Sequence, residues 1–208
     1  MRLLDKVVMI TGAGGDIGSA QCRLFAKEQA KLVITDIKRH RGVKLADEIS
    51  REGGFALFVD LDVSSESDWE AAVSATLERF RKIDVLVNNA GIYNTEPIQD
   101  ETAENWDQVL SINSKGAFLG TRAVVEPMRL MKRGSIINVA STTALVGSCR
   151  GGAYGASKAA LLSLTKHTAI QNAEYGIRAN AVIPGPIETD MIAENISDPK
   201  SRALSESR

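Results

Sequence analysis

Short apolar runs alternating with longer amphipathic segments predict an α/β fold. The expected architecture is a single domain, a doubly wound parallel sheet with helices on both faces. Two observations carry this expectation. The apolar runs are continuous rather than alternating, the pattern of strands covered on both faces. The segments between them have helical periodicity, and repeated strand–helix units imply right-handed crossovers.

The strands follow in order. Val7-Val8-Met9-Ile10 is the first, Leu32-Val33-Ile34 the second and Phe55 to Val59 the third. Val85-Leu86-Val87, Ile136 to Val139 and Ala179 to Ile183 supply the remaining strands. The clearest helix carries Trp69, Ala72, Val73, Thr76, Leu77 and Phe80 on one face, with Glu70, Glu78 and Arg79 off it. Glu66, Ser67 and Asp68 give it an acidic, capping start. Trp69 and Trp106 both fit helix faces and read as core. No linker, low-complexity tract or fixed-period repeat interrupts the chain, so 1–208 reads as one domain.

Composition narrows the function. The 208 residues carry 25 Lys+Arg and 26 Asp+Glu, a formal net charge of −1. That balance argues against a dedicated nucleic-acid binder. No apolar run approaches the roughly 18 residues that span a bilayer, so no membrane partner is expected. The charged start from Met1 to Lys6 does not resemble a signal peptide. Cys22 and Cys149 lie far apart, which excludes a disulfide framework or a cysteine zinc site and makes the cytoplasm the expected compartment. His40 and His167 stand alone, so neither a metal centre nor a histidine-based triad has support.

The first strand ends in Thr11-Gly12-Ala13-Gly14-Gly15-Asp16-Ile17-Gly18. Glycines allow a tight turn and close backbone approach to a pyrophosphate, and the helix that follows offers free N–H groups to it. An ordinary glycine-rich strand-to-helix turn reads equally well from this segment alone. The second strand ends at Asp36, eighteen positions after Gly18. A carboxylate there accepts ribose hydroxyls and repels a 2′-phosphate, which favours NAD over NADP. A helix cap is its other reading. The basic run Lys38-Arg39-His40-Arg41 opposes NAD, because it could pair with a 2′-phosphate.

On the later strands, Asn88-Asn89-Ala90-Gly91 ends the fourth and Ser141 ends the fifth. Tyr154 and Lys158 stand at i and i+4, which places phenol and ammonium on one helix face. A nearby cation lowers a phenol's pKa and would make the pair an acid/base unit for alcohol–carbonyl interconversion. A surface pair without consequence is the plainer reading of these two residues alone.

Taken together the motifs resemble the classical short-chain dehydrogenase/reductase family, over almost the whole chain. The resemblance rests on Thr11 to Gly18, Asp62-Val63, Asn88 to Gly91 and Asn113 in Ile112-Asn113-Ser114-Lys115-Gly116. It continues through Ser141 thirteen positions before Tyr154, Tyr154-Gly155-Ala156-Ser157-Lys158, and Pro184-Gly185-Pro186-Ile187-Glu188-Thr189. It implies a Rossmann-type sheet and an oxidoreductase that moves a hydride between NAD(H) and a small secondary alcohol or ketone. It further implies Tyr154 as general acid/base, Lys158 lowering its pKa and holding the nicotinamide ribose, and Ser141 orienting the carbonyl. Asn113 is implied to organise a water that links the lysine to solvent. Gly12, Gly15, Asp16 and Ile17 are implied to surround the pyrophosphate and adenosine, Asp36 to take the ribose, and Asp62 and Val63 to flank the adenine. Asn89 and Ala90 pass the cofactor's middle, and Pro184, Ile187 and Thr189 secure the nicotinamide end. A homodimer or homotetramer is implied as well.

Two departures from the family pattern stand out. Asp16 occupies a position where the family has glycine. Asp is among the few residues that tolerate left-handed backbone, so the turn is expected to survive, with an extra carboxylate weakening pyrophosphate binding. Residues 190–208 correspond to the start of the family's substrate lid, and the chain stops early, which predicts an exposed sheet edge and an open pocket. An NADPH-dependent carbonyl reductase of the 3-oxoacyl type and a non-catalytic nucleotide-binding protein remain as alternatives.

Overall fold

The computed structural model describes residues 1–192. Most of the expected lid segment, 190–208, lies outside the described residues. The element order is β1 (Val7–Thr11), α1 (Asp16–Lys27), β2 (Lys31–Asp36), α2 (Arg39–Arg51), β3 (Phe55–Asp60), α3 (Glu66–Phe80) and β4 (Val85–Asn88). It continues with α4 (Ala103–Leu110), a π-helical turn (Ser111–Lys115), α5 (Gly116–Leu130), β5 (Gly134–Val139), α6 (Gly152–Asn172) and β6 (Ile177–Val182).

The strands form one six-stranded sheet in the order β3-β2-β1-β4-β5-β6, and every neighbouring pair is parallel. The chain winds outward from β1 to β3, then returns to start β4 on the other side of β1. The crevice between the carboxyl ends of β1 and β4 is where such folds bind ligands.

Alternate residues of the central strands enter opposite cores, which is why their apolar runs are unbroken. Met9, Val33 and Leu86 join Trp69, Leu119 and Ile136 on one face. Ile10, Ile34 and Val87 join Cys22, Leu45 and Ile49 on the other. Each such side chain contributes about 1.5–3 kcal/mol through burial.

The edges differ from the sequence expectation. β3 is only half-buried, and Phe55 is 58% exposed, because β3 has a strand on one side only. β6, which among the described residues has β5 as its one neighbour, alternates between buried and exposed positions. The cap of α3 is Ser65, not the residues after it; its side chain accepts from the Asp68 N–H at 3.3 Å. Trp69 is a core residue, but Trp106 on α4 is 37% exposed. Among the described residues no helix is long and apolar enough to cross a membrane.

Candidate active site

Two turns meet at the switch point. The Thr11 hydroxyl at the end of β1 accepts from the N–H groups of Asn89 and Ala90, each at 3.0 Å. Asn89 Nδ2 donates to the carbonyls of Thr11 at 2.9 Å and Gly12 at 3.2 Å. Gly12 is left-handed, at φ +61°, and a Cβ there would lie 2.8 Å from Ala90 Cα. A Cβ at Gly18 would lie 2.4 Å from the Gly12 carbonyl oxygen. Only glycine fits either place.

Asp16 is the first residue of α1, with helical backbone, and Ile17 follows it in the helix. The left-handed conformation therefore falls on Gly12, and Asp16 needs no special tolerance. Gly15 caps α1 with no side-chain hydrogen bond. The Asp16 carboxylate accepts from the Asp190 N–H at 2.8 Å.

Asp36 is buried at the end of β2. Its Oδ2 accepts from the Gly14 N–H at 2.8 Å and its Oδ1 from the Lys38 N–H at 2.7 Å. It thus organises the glycine-rich turn, yet it is not the N-cap of α2, which is Lys38. The Leu61 N–H donates to the Asp36 carbonyl at 3.3 Å, so Asp62 and Val63 follow immediately beside that strand end. Asp62 accepts from the Ser64 N–H at 2.8 Å and hydroxyl at 2.7 Å, and the Val63 carbonyl accepts from Trp69 Nε1 at 2.9 Å. Arg39 pairs with Asp60 and stacks 5.7 Å from the Phe58 ring centroid. Arg41 lies 3.5 Å from the Asp190 carboxylate.

The other half of the site gathers on β5, α6 and the π-helical turn. Asn113 lies buried in that turn, a geometry that recurs at functional positions. Its Oδ1 accepts from the Ile92 N–H at 2.8 Å, and its Nδ2 donates to the Ile92 carbonyl at 2.9 Å and Ser157 Oγ at 3.0 Å. Ser157 in turn donates to the Tyr154 carbonyl at 2.7 Å. Asn113 therefore ties the segment after the Asn-Asn-Ala-Gly turn to α6 through Ser157.

Lys158 is 3% exposed, and its Nζ donates to the Val139 carbonyl at 2.8 Å. Burial lowers its pKa from 10.5 to about 8. A Cβ on Gly91 would lie 3.3 Å from Nζ and 3.2 Å from Asn113 Oδ1, so glycine leaves the space over the lysine open. The Tyr154 ring centroid is 5.5 Å from Nζ. The ring also meets Tyr93 edge-to-face, with centroids 4.8 Å apart and planes at 84°.

The phenol behaves contrary to the sequence expectation. Burial pushes the Tyr154 pKa above its ordinary 10.0, a hydrogen bond with Ser141 pulls it back, and Tyr93 adds to the rise. Burial outweighs the Ser141 hydrogen bond, and the Lys158 ammonium is held at the end of β5 by the Val139 carbonyl.

Ser141 follows β5, and its Oγ accepts from the Thr143 N–H at 3.3 Å. The Thr142 N–H donates to the Pro184 carbonyl at 3.0 Å, which joins this turn to the segment after β6. Ile187 and Thr189 continue that segment, Ile187 exposed and Thr189 half-buried. A cavity of about 500 Å³ opens beside Tyr93, lined by Asn94, Gln108, Val109, Asp190 and Met191 among others.

The structure thus brings Asn113, Ser141, Tyr154 and Lys158 to one end of the cleft and Gly12, Asp16 and Asp36 to the other. Sequence reasoning missed Tyr93, Ser157 and the clamping role of the Thr11 hydroxyl. Thr11 and Ser157 lay inside quoted motifs, whereas Tyr93 belongs to no spacing pattern.

A dinucleotide-type α/β sheet bearing this Ser–Tyr–Lys group defines an oxidoreductase acting on CH–OH groups. The sequence matches the short chain dehydrogenase family over residues 6–200. It is 44% identical over 204 residues to the cyclopentanol dehydrogenase of Comamonas testosteroni, covering 98% of this chain and 82% of that one. Its structure resembles NAD+-bound xylitol dehydrogenase, with a TM-score of 0.86, 36% identity, and coverage of 90% and 74% of the two chains. It also resembles a gluconate 5-dehydrogenase from Burkholderia cenocepacia in complex with NADP and tartrate (TM-score 0.93, 32% identity, 97% and 80% coverage). The chain belongs to the short chain dehydrogenase family.

Proposed function

We propose that the chain is an NAD-dependent dehydrogenase of small secondary alcohols, with alicyclic alcohols as its substrate class. The observation that carries this reading is the convergence of Ser141, Tyr154 and buried Lys158 beside the Asn113 turn. The alternative of a non-catalytic nucleotide-binding protein gives no reason to bury a lysine there.

The residues fit a dinucleotide. The amino end of α1, whose N-cap Gly15 makes no side-chain hydrogen bond, suits a pyrophosphate, and the Asp36 carboxylate suits a ribose diol. The residues that would hold the cofactor are the Gly12–Ile17 backbone, Asp36, Asp62, Val63, Asn89, Ala90, Tyr154, Lys158, Pro184, Ile187 and Thr189. Bound NAD supplies the hydride acceptor.

The chain's own residues manage the substrate oxygen and its proton. The Ser141 hydroxyl donates to that oxygen and orients it. Tyr154 Oη receives the alcohol proton and returns it in the reverse direction. Lys158 keeps further N–H donors beyond the one held by Val139, available to a ribose hydroxyl and to the phenolate side of Tyr154. The side chain of Asn113 is engaged by Ile92 and Ser157, so the proton path to solvent draws on the main chain of the π-helical turn.

Cofactor choice rests on Asp36 together with the placement of the basic run. Arg39 is occupied by Asp60 and Phe58, and Arg41 by Asp190, which disfavours a 2′-phosphate and the NADPH-reductase alternative. The substrate class rests on the likeness to the cyclopentanol enzyme and on exposed Leu145, Val146 and Ile187 near Ser141 and Pro184. The test follows nicotinamide absorbance with cyclopentanol and open-chain secondary alcohols. The reading expects turnover with NAD and at least tenfold less with NADP; turnover with neither cofactor contradicts it.

A further inference from the structure

The segment after β6 is fastened to the phosphate end of the cleft by the Asp16 carboxylate. Asp16 stands at the amino end of α1, the place that offers N–H groups to an anion. Its carboxylate already accepts from the main-chain N–H of Asp190, across 174 positions of sequence. Asp190 has a second anchor, its own carboxylate 3.5 Å from Arg41 Nη1. Arg41 is itself seated on the glycine-rich turn, where a Cβ on Gly14 would come within 2.9 Å of Arg41 Cβ. Asp190 and Met191 also line the cavity beside Tyr93. One residue therefore connects the glycine-rich turn, α2 and the substrate side of the cleft.

A glycine at position 16 could not do this, since it has no acceptor to offer. The acceptor that Asp supplies also carries charge. An aspartate at a helix N-terminus is stabilised by the same partial positive charge that draws a phosphate. A pyrophosphate approaching α1 thus meets a carboxylate and the strap it holds.

We propose that Asp16 is a positioning residue that latches the Pro184–Met191 segment across the cleft, and that the dinucleotide enters and leaves only when the Asp16–Asp190 hydrogen bond opens. This rests on the reading of the cleft as a dinucleotide site. A latch slows traffic in both directions, so its loss raises association and dissociation rates together while affinity changes less. A carboxylate that merely repels phosphate gives a different pattern, in which any neutral residue at position 16 raises affinity, chiefly through association, and salt erases the effect.

The test is stopped-flow NADH fluorescence on the full chain with Asp16→Asn, Asp16→Gly and Asp16→Ala. Asn keeps a carbonyl acceptor without the charge; Gly and Ala keep neither. Ala preserves helix propensity if Gly perturbs the start of α1. The latch predicts that Gly and Ala raise both rates at least fivefold and that Asn stays within about twofold of the unchanged chain. Arg41→Met gives a smaller rise of the same kind, since the pair it breaks is exposed. Hydrogen exchange of the Asp190 amide without cofactor supplies an independent readout. It is protected in the unchanged chain and Asp16→Asn, and loses protection in Asp16→Gly and Asp16→Ala. Equal rises in Asn and Gly overturn the latch in favour of simple repulsion, and unchanged rates in all variants overturn it outright. If no variant nor the unchanged chain binds NADH, the dinucleotide reading falls with it, whereas binding with unaltered rates leaves that reading standing.

Discussion

Lys158 Nζ is bonded to the Val139 carbonyl at 2.8 Å, at the carboxyl end of β5, with the Tyr154 ring centroid 5.5 Å away. The bond fixes the ammonium at the strand end. Both side chains are buried, with opposite effects on their titration. Burial brings the lysine down to about 8, and burial pushes the tyrosine above 10.0.

The first prediction concerns that order. In the cofactor-free chain Tyr154 keeps its proton at pH 8, because burial raises its pKa, while burial brings Lys158 down to about 8. The tyrosinate absorbance difference between the unchanged chain and Tyr154→Phe measures it. A Tyr154 phenolate at pH 8 without cofactor would falsify the assignment.

The second prediction concerns Asp36. Removing its carboxylate in Asp36→Ala frees the N–H groups of Gly14 and Lys38 and deletes the ribose acceptor. Hydrogen bonds to a charged group are worth about 1.5–3 kcal/mol, so NADH affinity drops roughly 10- to 100-fold. NADPH affinity drops less, and the ratio of the two dissociation constants narrows. Parallel titrations with both cofactors give the ratio; an unchanged ratio counts against Asp36 as the discriminating residue.

The third prediction concerns stability against acid. Asp84 is buried at the start of β4 and accepts from the Val7 N–H at 2.9 Å, with Lys82 at 2.7 Å and Lys6 at 3.7 Å. Burial alone would raise its pKa, but the Lys82 and Val7 contacts outweigh it and hold the carboxyl below its ordinary 3.8. A depressed folded pKa contributes stability above the unfolded value, and that contribution is lost as pH falls through the folded one. Asp84→Asn therefore loses roughly 1–3 kcal/mol at pH 7, and the deficit shrinks toward pH 3. Urea denaturation at several pH values checks this, and a deficit independent of pH contradicts it.

The fourth prediction concerns assembly. Phe118 and Leu130 on α5 are 45% and 78% exposed, and Ile170 on α6 is 77% exposed. Apolar side chains so placed favour a homo-oligomer through these helices. Sedimentation velocity should give a dimer or tetramer, with Phe118→Arg shifted toward smaller species. A monomer at micromolar concentration refutes the expectation.

The alternation of strands and helices was legible because the central strands feed two cores and so read as unbroken apolar runs. Phe55 to Val59 has the same appearance although β3 is an edge, since apolar content does not reveal how many neighbours a strand has. The cap at Ser65 was missed in favour of the residues from Glu66 to Asp68, because Ser65 and Ser67, two positions apart, offer the same chemistry near the helix start. Site residues inside motifs were legible; Tyr93 was not, because its role depends on an edge-to-face contact created only when the β4 turn meets α6. Spacing places the lysine on the face of Tyr154 but says nothing of the burial that raises the phenol's pKa, or of what Nζ bonds to. Asp16 was read as a tolerated intruder, and its partner, 174 residues away, could not be seen from the turn itself.

The most direct test of the account is Tyr154→Phe, assayed for alcohol turnover and for NADH binding on the same preparation. Loss of a general acid/base costs about 10²–10⁴-fold in rate. The account predicts a turnover loss in that range, with the NADH dissociation constant within about threefold of the unchanged chain. Turnover retained within tenfold, with binding intact, would contradict Tyr154 as the group that carries the proton.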